Sequence, residues 1–291
     1  MRKYRHFKLG SSIIILIIIL ICSGKSYGET DVTFQNGRVT LAGTLDLPTG
    51  EGPFPAIVTV HGAGRLDRDY KYNLLISGFF VQQGFAVLRY DKRGIGKSTG
   101  IYRLVTRING ESVLNDLADD ALAGVEFLKN YDKIDPTMIG LVGISQAGWI
   151  IPLAASKSSD VTFGISHSGS TCTVGQEIYY NRLAVLSADV SVEELTDMAR
   201  DYDGLQGFDP LPSLKAVDIP ILWLYGYHDR SSPSLLSIEI LETFIAEQNK
   251  DFSITTYTNG NHGLRDTGTG QIYPAMYDSL KWVIEKFAIE N

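Results

Sequence analysis

Cysteine is almost missing from this chain of 291 residues, which has only Cys22 and Cys172. Cys22 closes an apolar run near the N-terminus. A chain trimmed beyond it keeps Cys172 alone and can form no intrachain disulfide. No cysteine/histidine cluster or carboxylate motif has metal-ligand spacing, so no zinc or calcium site is expected. No P-loop or dinucleotide glycine motif is present either, and no organic cofactor is expected. Positive charge is in deficit, with 26 Lys/Arg against 33 Asp/Glu and a net charge of −7. That balance excludes nucleic-acid binding through the overall field. There is no internal repeat, low-complexity tract or long linker.

The first residues stand apart from this acidic background. Arg2, Lys3, Arg5 and Lys8 form a positive head, residues 13–22 are apolar, and Ser26-Tyr27-Gly28 offers small residues around a cleavage point after Gly28. This is the layout of a secretory signal, so 1–28 is expected to be removed and 29–291 to form the mature, extracytoplasmic domain. The apolar run falls short of the roughly 20 residues that a spanning helix needs. An uncleaved anchor or a lipid on Cys22 remain as alternatives, although Ile21 is bulkier than the residue that usually precedes a lipidated cysteine. Removal takes away five cations and no acid, moving the net charge from −7 to −12. Membrane contact is therefore expected only through the N-terminus.

Hydrophobic residues make up 44% of the chain, enough for one sizeable core. Residues 32–35 and 39–45 read as strands joined around Asn36-Gly37, a hairpin signal. Strands and helices then alternate, with strands at 56–60, 86–90, 139–144, 161–166, 221–225 and 252–257. Helices are expected at 72–82, 113–129, 146–155, 235–247 and 274–289. The strands are short apolar runs without alternation, as in a mostly parallel central sheet with helices on both faces. Residues 170–216 break the rhythm and read as a small helical cap insertion. Within it, 192–202 is expected to be helical, opened by Ser191 with Glu194 three residues on.

Four segments place chemically capable residues just after strands, where open α/β sheets gather function. Gly143-Ile144-Ser145-Gln146-Ala147-Gly148 follows one strand and opens a helix. Small neighbours allow a tight turn that lifts the hydroxyl clear of the sheet, near the positive end of the helix. Alone, the segment also fits an ordinary turn capped by Ser145. His61-Gly62-Ala63-Gly64 ends the strand at 56–60. Its backbone suits an oxyanion hole, with the N–H of Ala63 and that of Gln146 as expected donors, or else it is a plain glycine turn. Asp229, after 221–225, can orient an imidazole or serve as a turn aspartate. His262, in Asn259-Gly260-Asn261-His262-Gly263, titrates near neutrality and can shuttle a proton, or is a surface loop histidine. Of the other histidines only His167, after 161–166, competes as a base.

The order Ser145, Asp229, His262 and the loop Asp91-Lys92-Arg93-Gly94-Ile95-Gly96-Lys97-Ser98 together resemble the α/β-hydrolase superfamily, from the strand at Ala56 to the last helix. His61 to Asp69 is similar to the oxyanion loop of the subgroup described as serine aminopeptidase-like or dienelactone-hydrolase-like. The resemblance implies the α/β-hydrolase fold, a Ser145–His262–Asp229 triad, oxyanion donors at Ala63 and Gln146, and a structural role for the loop at 91–98. It implies a serine hydrolase of carboxylic esters acting on small molecules. A serine aminopeptidase or amidase is the alternative, since the stretch 170–216 is rich in acids, among them Glu177. An inactive binding module is a third reading. Tyr179, Tyr180, Tyr202 and Phe208 are candidates either for pocket lining or for packing the insertion onto the domain.

Overall fold

The computed structural model describes residues 28–289, so the expected export segment lies outside the described residues apart from Gly28. The chain opens with the hairpin β1 (Gly28–Asn36) and β2 (Val39–Leu47), whose register pairs Asn36 with Val39. Gly37 turns the chain with a φ of 57°, a conformation in which a Cβ would be strained. There follow β3 (Phe54–Val60), α1 (Lys71–Gln82), β4 (Ala86–Tyr90), α2 (Gly110–Lys129), β5 (Ile134–Ile144), α3 (Ala147–Ala155) and β6 (Phe163–His167). Three helices then precede the next strand: α4 (Val174–Leu186), α5 (Val192–Arg200) and α6 (Leu211–Ala216). The chain ends with β7 (Ile221–Gly226), α7 (Ser234–Gln248), β8 (Phe252–Tyr257) and α8 (Ala275–Phe287).

The eight strands form one sheet in the order β1-β2-β4-β3-β5-β6-β7-β8. Only β2 runs antiparallel to its neighbours, β1 and β4, and every later pairing is parallel. Successive side chains on a strand face opposite sides. Ala56, Val58 and Val60 thus join the core beneath α2 and α3, while Ile57 joins the core beneath α1 and α8. Both faces are covered along the central strands, so β4, β6 and β7 are buried along their whole length.

The stretch between β6 and β7 is held by caps and by a core of its own. Thr173 and Gln176 form a capping box at the start of α4, and Ser191 and Glu194 form the expected one at α5. Tyr180, Ala184, Leu195 and Ala199 pack with Cys172 and with Leu236 of α7. Cys172 is buried.

The loop after β4 stitches the hairpin to the sheet. Asp91 accepts from the backbone and guanidinium of Arg68 and from the N–H of Lys97. Ser98 donates to the Asp91 carbonyl and accepts from the Ala42 N–H. Arg93 pairs with buried Asp120 of α2 at 2.7 Å. The structural role expected for this loop holds for these residues.

Candidate active site

Ser145 sits between β5 and α3 with a φ of 60°. A non-glycine residue in the left-handed region costs about 1–3 kcal/mol, and the surroundings must impose it. They do so through backbone bonds of 2.9 Å each, from the Ser145 N–H to the His167 carbonyl and from the Gly148 N–H to the Ser145 carbonyl. Close approach on both flanks requires glycine. A Cβ on Gly143 would lie 2.5 Å from the Ala147 Cβ, and one on Gly148 would lie 2.5 Å from the Gly169 carbonyl carbon. The turn projects the hydroxyl at the carboxyl edge of the sheet, at the N-terminus of α3.

Asp229 follows β7 and is fully buried. Its Oδ1 accepts from the N–H groups of Ser231 and Ser232 at 2.7 and 3.0 Å. Its Oδ2 accepts from the Ser234 hydroxyl at 3.1 Å and from His262 Nδ1 at 2.8 Å. The Tyr180 hydroxyl of α4 donates to the Asp229 carbonyl at 2.6 Å, fixing the residue from the other side. His262 lies on a tight loop after β8 in which the Asn261 carboxamide oxygen accepts from the N–H groups of Gly263 and Arg265. The loop rests against the end of β7, where a Cβ on Gly226 would lie 2.5 Å from the Asn261 carbonyl oxygen. Burial opposes charge on the imidazole of His262. The charge and hydrogen bond of Asp229, with the charge of Glu177, outweigh it and hold the ring above its ordinary value of 6.5.

The loop after β3 passes directly over the turn at Ser145. A Cβ on Gly62 would lie 3.6 Å from that of Ser145. His61 is buried and its Nε2 bonds the Tyr90 carbonyl at 2.7 Å. Burial, helped by the nearby charge of Lys92, pushes its pKa down to about 3, so the ring is neutral and serves as an anchor. Among the described residues, the N–H groups of Ala63 and Gln146 have no hydrogen-bond acceptor and stay available. Lys92 reaches this loop from beneath. Its Nζ donates to the carbonyls of Gly62 at 2.7 Å and Gly64 at 3.2 Å, and to Gln146 Oε1 at 3.3 Å.

Ala63, Ser145 and Gln146 line one cavity of about 340 Å³, with Leu104, Val105, Trp149 and Ile178 among its apolar walls. This is within the usual range for a small-molecule site. The insertion contributes Val174, Glu177 and Ile178 of α4. The four aromatic candidates do not line it. Tyr180 and Phe208 are buried, and Tyr179 stacks on Tyr202 at 4.8 Å, so they pack the insertion. Glu177 is the residue that reading by composition passed over, as one acid among many. It lines the Ser145 cavity, and burial pushes its carboxyl up to about 7, with His262 lowering and Asp229 raising it. No described group forms a hydrogen bond to that carboxyl. His167 is not a competing base, because Tyr72 occupies its Nδ1 and the Ser279 hydroxyl its Nε2. Its burial lowers its pKa to about 3.

Among the described residues, no cluster of three or more His, Cys, Asp or Glu is placed to hold a metal ion. No described helix is long and apolar enough to cross a membrane.

The model of the prolyl oligopeptidase family matches residues 71–289. The chain belongs to the prolyl oligopeptidase family. The match runs from α1 through the loops of Ser145, Asp229 and His262 to the end of the described chain. Relatives of this family member include esterase EstD of Thermotoga maritima, 27% identical over 70% of this chain and 53% of that protein. Another is the peroxisomal succinyl-coenzyme A thioesterase of Mus musculus, 26% identical over 77% of this chain and 51% of that protein. The chain thus spans about half the length of these curated relatives. An esterase of Pyrococcus furiosus shares the fold with a TM-score of 0.65, at 19% identity over 91% of this chain and 92% of that one. An acylaminoacyl peptidase of Pyrococcus horikoshii gives a TM-score of 0.64, at 22% identity over 91% of this chain and 42% of that one. The architecture is the α/β-hydrolase fold, as the sequence implies.

Proposed function

We propose that this chain is a serine hydrolase cleaving carboxylic esters of small molecules, with Ser145 as nucleophile, His262 as general base and Asp229 as the group that orients it. The observation that carries this reading is the strained turn of Ser145, opening into an apolar cavity at the same sheet edge as the hydrogen-bonded pair of buried Asp229 and partly exposed His262. Strain at a residue that local packing over-determines is a mark of a functional position. In this reading His262 Nε2 takes the proton as the Ser145 oxygen attacks the acyl carbon. The N–H groups of Ala63 and Gln146 receive the oxyanion. His262 then protonates the departing alcohol, and water releases the acid by the reverse sequence. The esterase and thioesterase names among the relatives agree with acyl transfer. Helix α4 covers one side of the cavity through Val174, Glu177 and Ile178 and in this reading sets which acyl groups fit. We also propose an extracytoplasmic location, which the signal-like layout of residues 1–28 supports.

A panel of p-nitrophenyl esters of increasing acyl length, run on wild type and Ser145→Ala, tests the reading. Turnover is expected on short chains, with a loss of at least about 10⁴-fold in the variant. A variant retaining most of its activity removes Ser145 from the mechanism.

Glu177 favours a second reading, hydrolysis of aminoacyl esters or amides. An unpaired carboxylate in an apolar cavity gains an ion pair when a substrate brings an ammonium group. On this reading aminoacyl p-nitroanilides are cleaved, and Glu177→Gln lowers their kcat/KM far more than that of neutral esters. Equal effects on both substrate types exclude it.

A further inference from the structure

Lys92 is the one cation of the loop at 91–98 that turns away from the hairpin and into the sheet edge. It is almost wholly buried, with 2% of its surface exposed. An ammonium in such a place needs partners, and it finds three on the two segments that flank Ser145. Two of the three are backbone carbonyls, on either side of Ala63. The Gly62 carbonyl belongs to the same planar peptide unit as the Ala63 N–H. A donor held on that oxygen fixes the rotation of the whole plane and so the direction of the N–H on its other edge. It also draws electron density toward the oxygen and leaves the N–H a stronger donor. The third partner, Gln146 Oε1, belongs to the residue whose backbone supplies the other expected donor.

We infer that Lys92 is a positioning residue that aligns and polarises the oxyanion hole, holding the Ala63 and Gln146 donors in register from behind while touching no substrate. This rests on the assignment of those two N–H groups as oxyanion donors. A simple structural tie would require only a hydrogen-bond donor. A cation beneath the hole adds a positive potential where negative charge develops in the transition state. Burial lowers the pKa of this ammonium to about 7, so the charged form dominates below neutral pH while the hydrogen-bond tie of the amine to the loop persists above it. Arg93 and Asp91 of the same loop, which face Asp120 and Arg68, stabilise the fold and do not share this task.

The test compares wild type with Lys92→Met and Lys92→Gln, using p-nitrophenyl acetate and a trifluoromethyl ketone that forms a tetrahedral adduct on the nucleophile. Rates are expressed per site labelled to completion by a fluorophosphonate, so that unfolded enzyme is not counted. Lys92→Met is expected to lower kcat roughly ten- to a hundredfold, less than deletion of an oxyanion donor, with KM changed less than about threefold. Affinity for the ketone should fall in parallel with kcat. Lys92→Gln, which keeps a neutral donor, should fall between the two and decides the matter if the methionine variant does not fold. Either folded variant with kcat and ketone affinity within threefold of wild type overturns the inference, as does a loss confined to KM. Failure of the wild type itself to react with the fluorophosphonate at Ser145 would instead overturn the underlying catalytic assignment.

Discussion

The charges of His262 and Glu177 act on each other, and this coupling is expected to shape the pH dependence of the proposed reaction. Base catalysis needs the neutral imidazole, while Asp229 and Glu177 both favour the charged ring. The acid limb of kcat/KM on a neutral ester therefore falls above the ordinary imidazole value. Replacing Glu177 by Gln removes one negative charge and is expected to move that limb to lower pH; an unmoved limb would show that the two groups do not interact. Glu177 also bears on stability. Its carboxyl is raised to about 7 in the folded chain from an ordinary 4.5, so the folded state holds a proton that the unfolded state releases between those values. Stability from this group is lost as pH rises through that window. Denaturant titrations should find Glu177→Gln more stable than wild type at pH 8, by on the order of 1–3 kcal/mol, and little different near pH 5. Neither the place of Glu177 in the cavity nor the burial of Lys92 was legible in the sequence. Both depend on isolation from water, which is set by partners far away in the chain. The buried lysine did stand beside Arg93 in a recognisable loop, but nothing in the loop's own residues says which cation turns inward.

At the level of elements, the turn at Ser145 depends on how closely α3 approaches the end of β6. Gly148 is the contact point, with the Gly169 backbone 2.5 Å from where a Cβ would sit. Backbone cannot move aside as a flexible side chain can. Gly148→Ala should destabilise the fold by about 2–4 kcal/mol, read as a fall in Tm, and should slow the reaction of Ser145 by tilting the helix that supports it. Wild-type values for both would show that the turn is less constrained than its geometry implies. The central strands were legible because buried parallel strands are short apolar runs, and β4 falls where the residues place it; β8 also falls where expected, although it is an edge strand buried only at its ends. The candidate site residues could be singled out because they follow those runs. The helix α4 was not recognised as a separate element, since its apolar residues form no clean stripe. Its signal lay in Thr173 and Gln176, the same capping-box spacing that revealed α5 through Ser191 and Glu194. Tyr180 and Phe208 show the limit of composition, because an aromatic in an insertion reads alike whether it lines a cavity or packs beneath it.

For the whole molecule, the sheet converts a chain order into a place. Ser145, Asp229 and His262 follow β5, β7 and β8, strands that lie parallel with only β6 intervening, and so their loops emerge at one edge. Should the expected signal be removed as proposed, the net charge falls from −7 to −12, which would disfavour nucleic acid and anionic lipid through the overall field. Export with cleavage after Gly28 predicts a recovered protein whose intact mass begins at Glu29. A mass that includes Cys22 with an attached lipid would point to anchoring instead. The central claim is that Ser145 is the reactive hydroxyl and His262 its base. Fluorophosphonate labelling, followed by mass spectrometry of the modified peptide, tests it most directly. The account predicts a single adduct on Ser145, absent in Ser145→Ala and formed at least about a hundredfold more slowly in His262→Ala. An adduct on another serine, or equal labelling rates in the folded His262 variant, would contradict it.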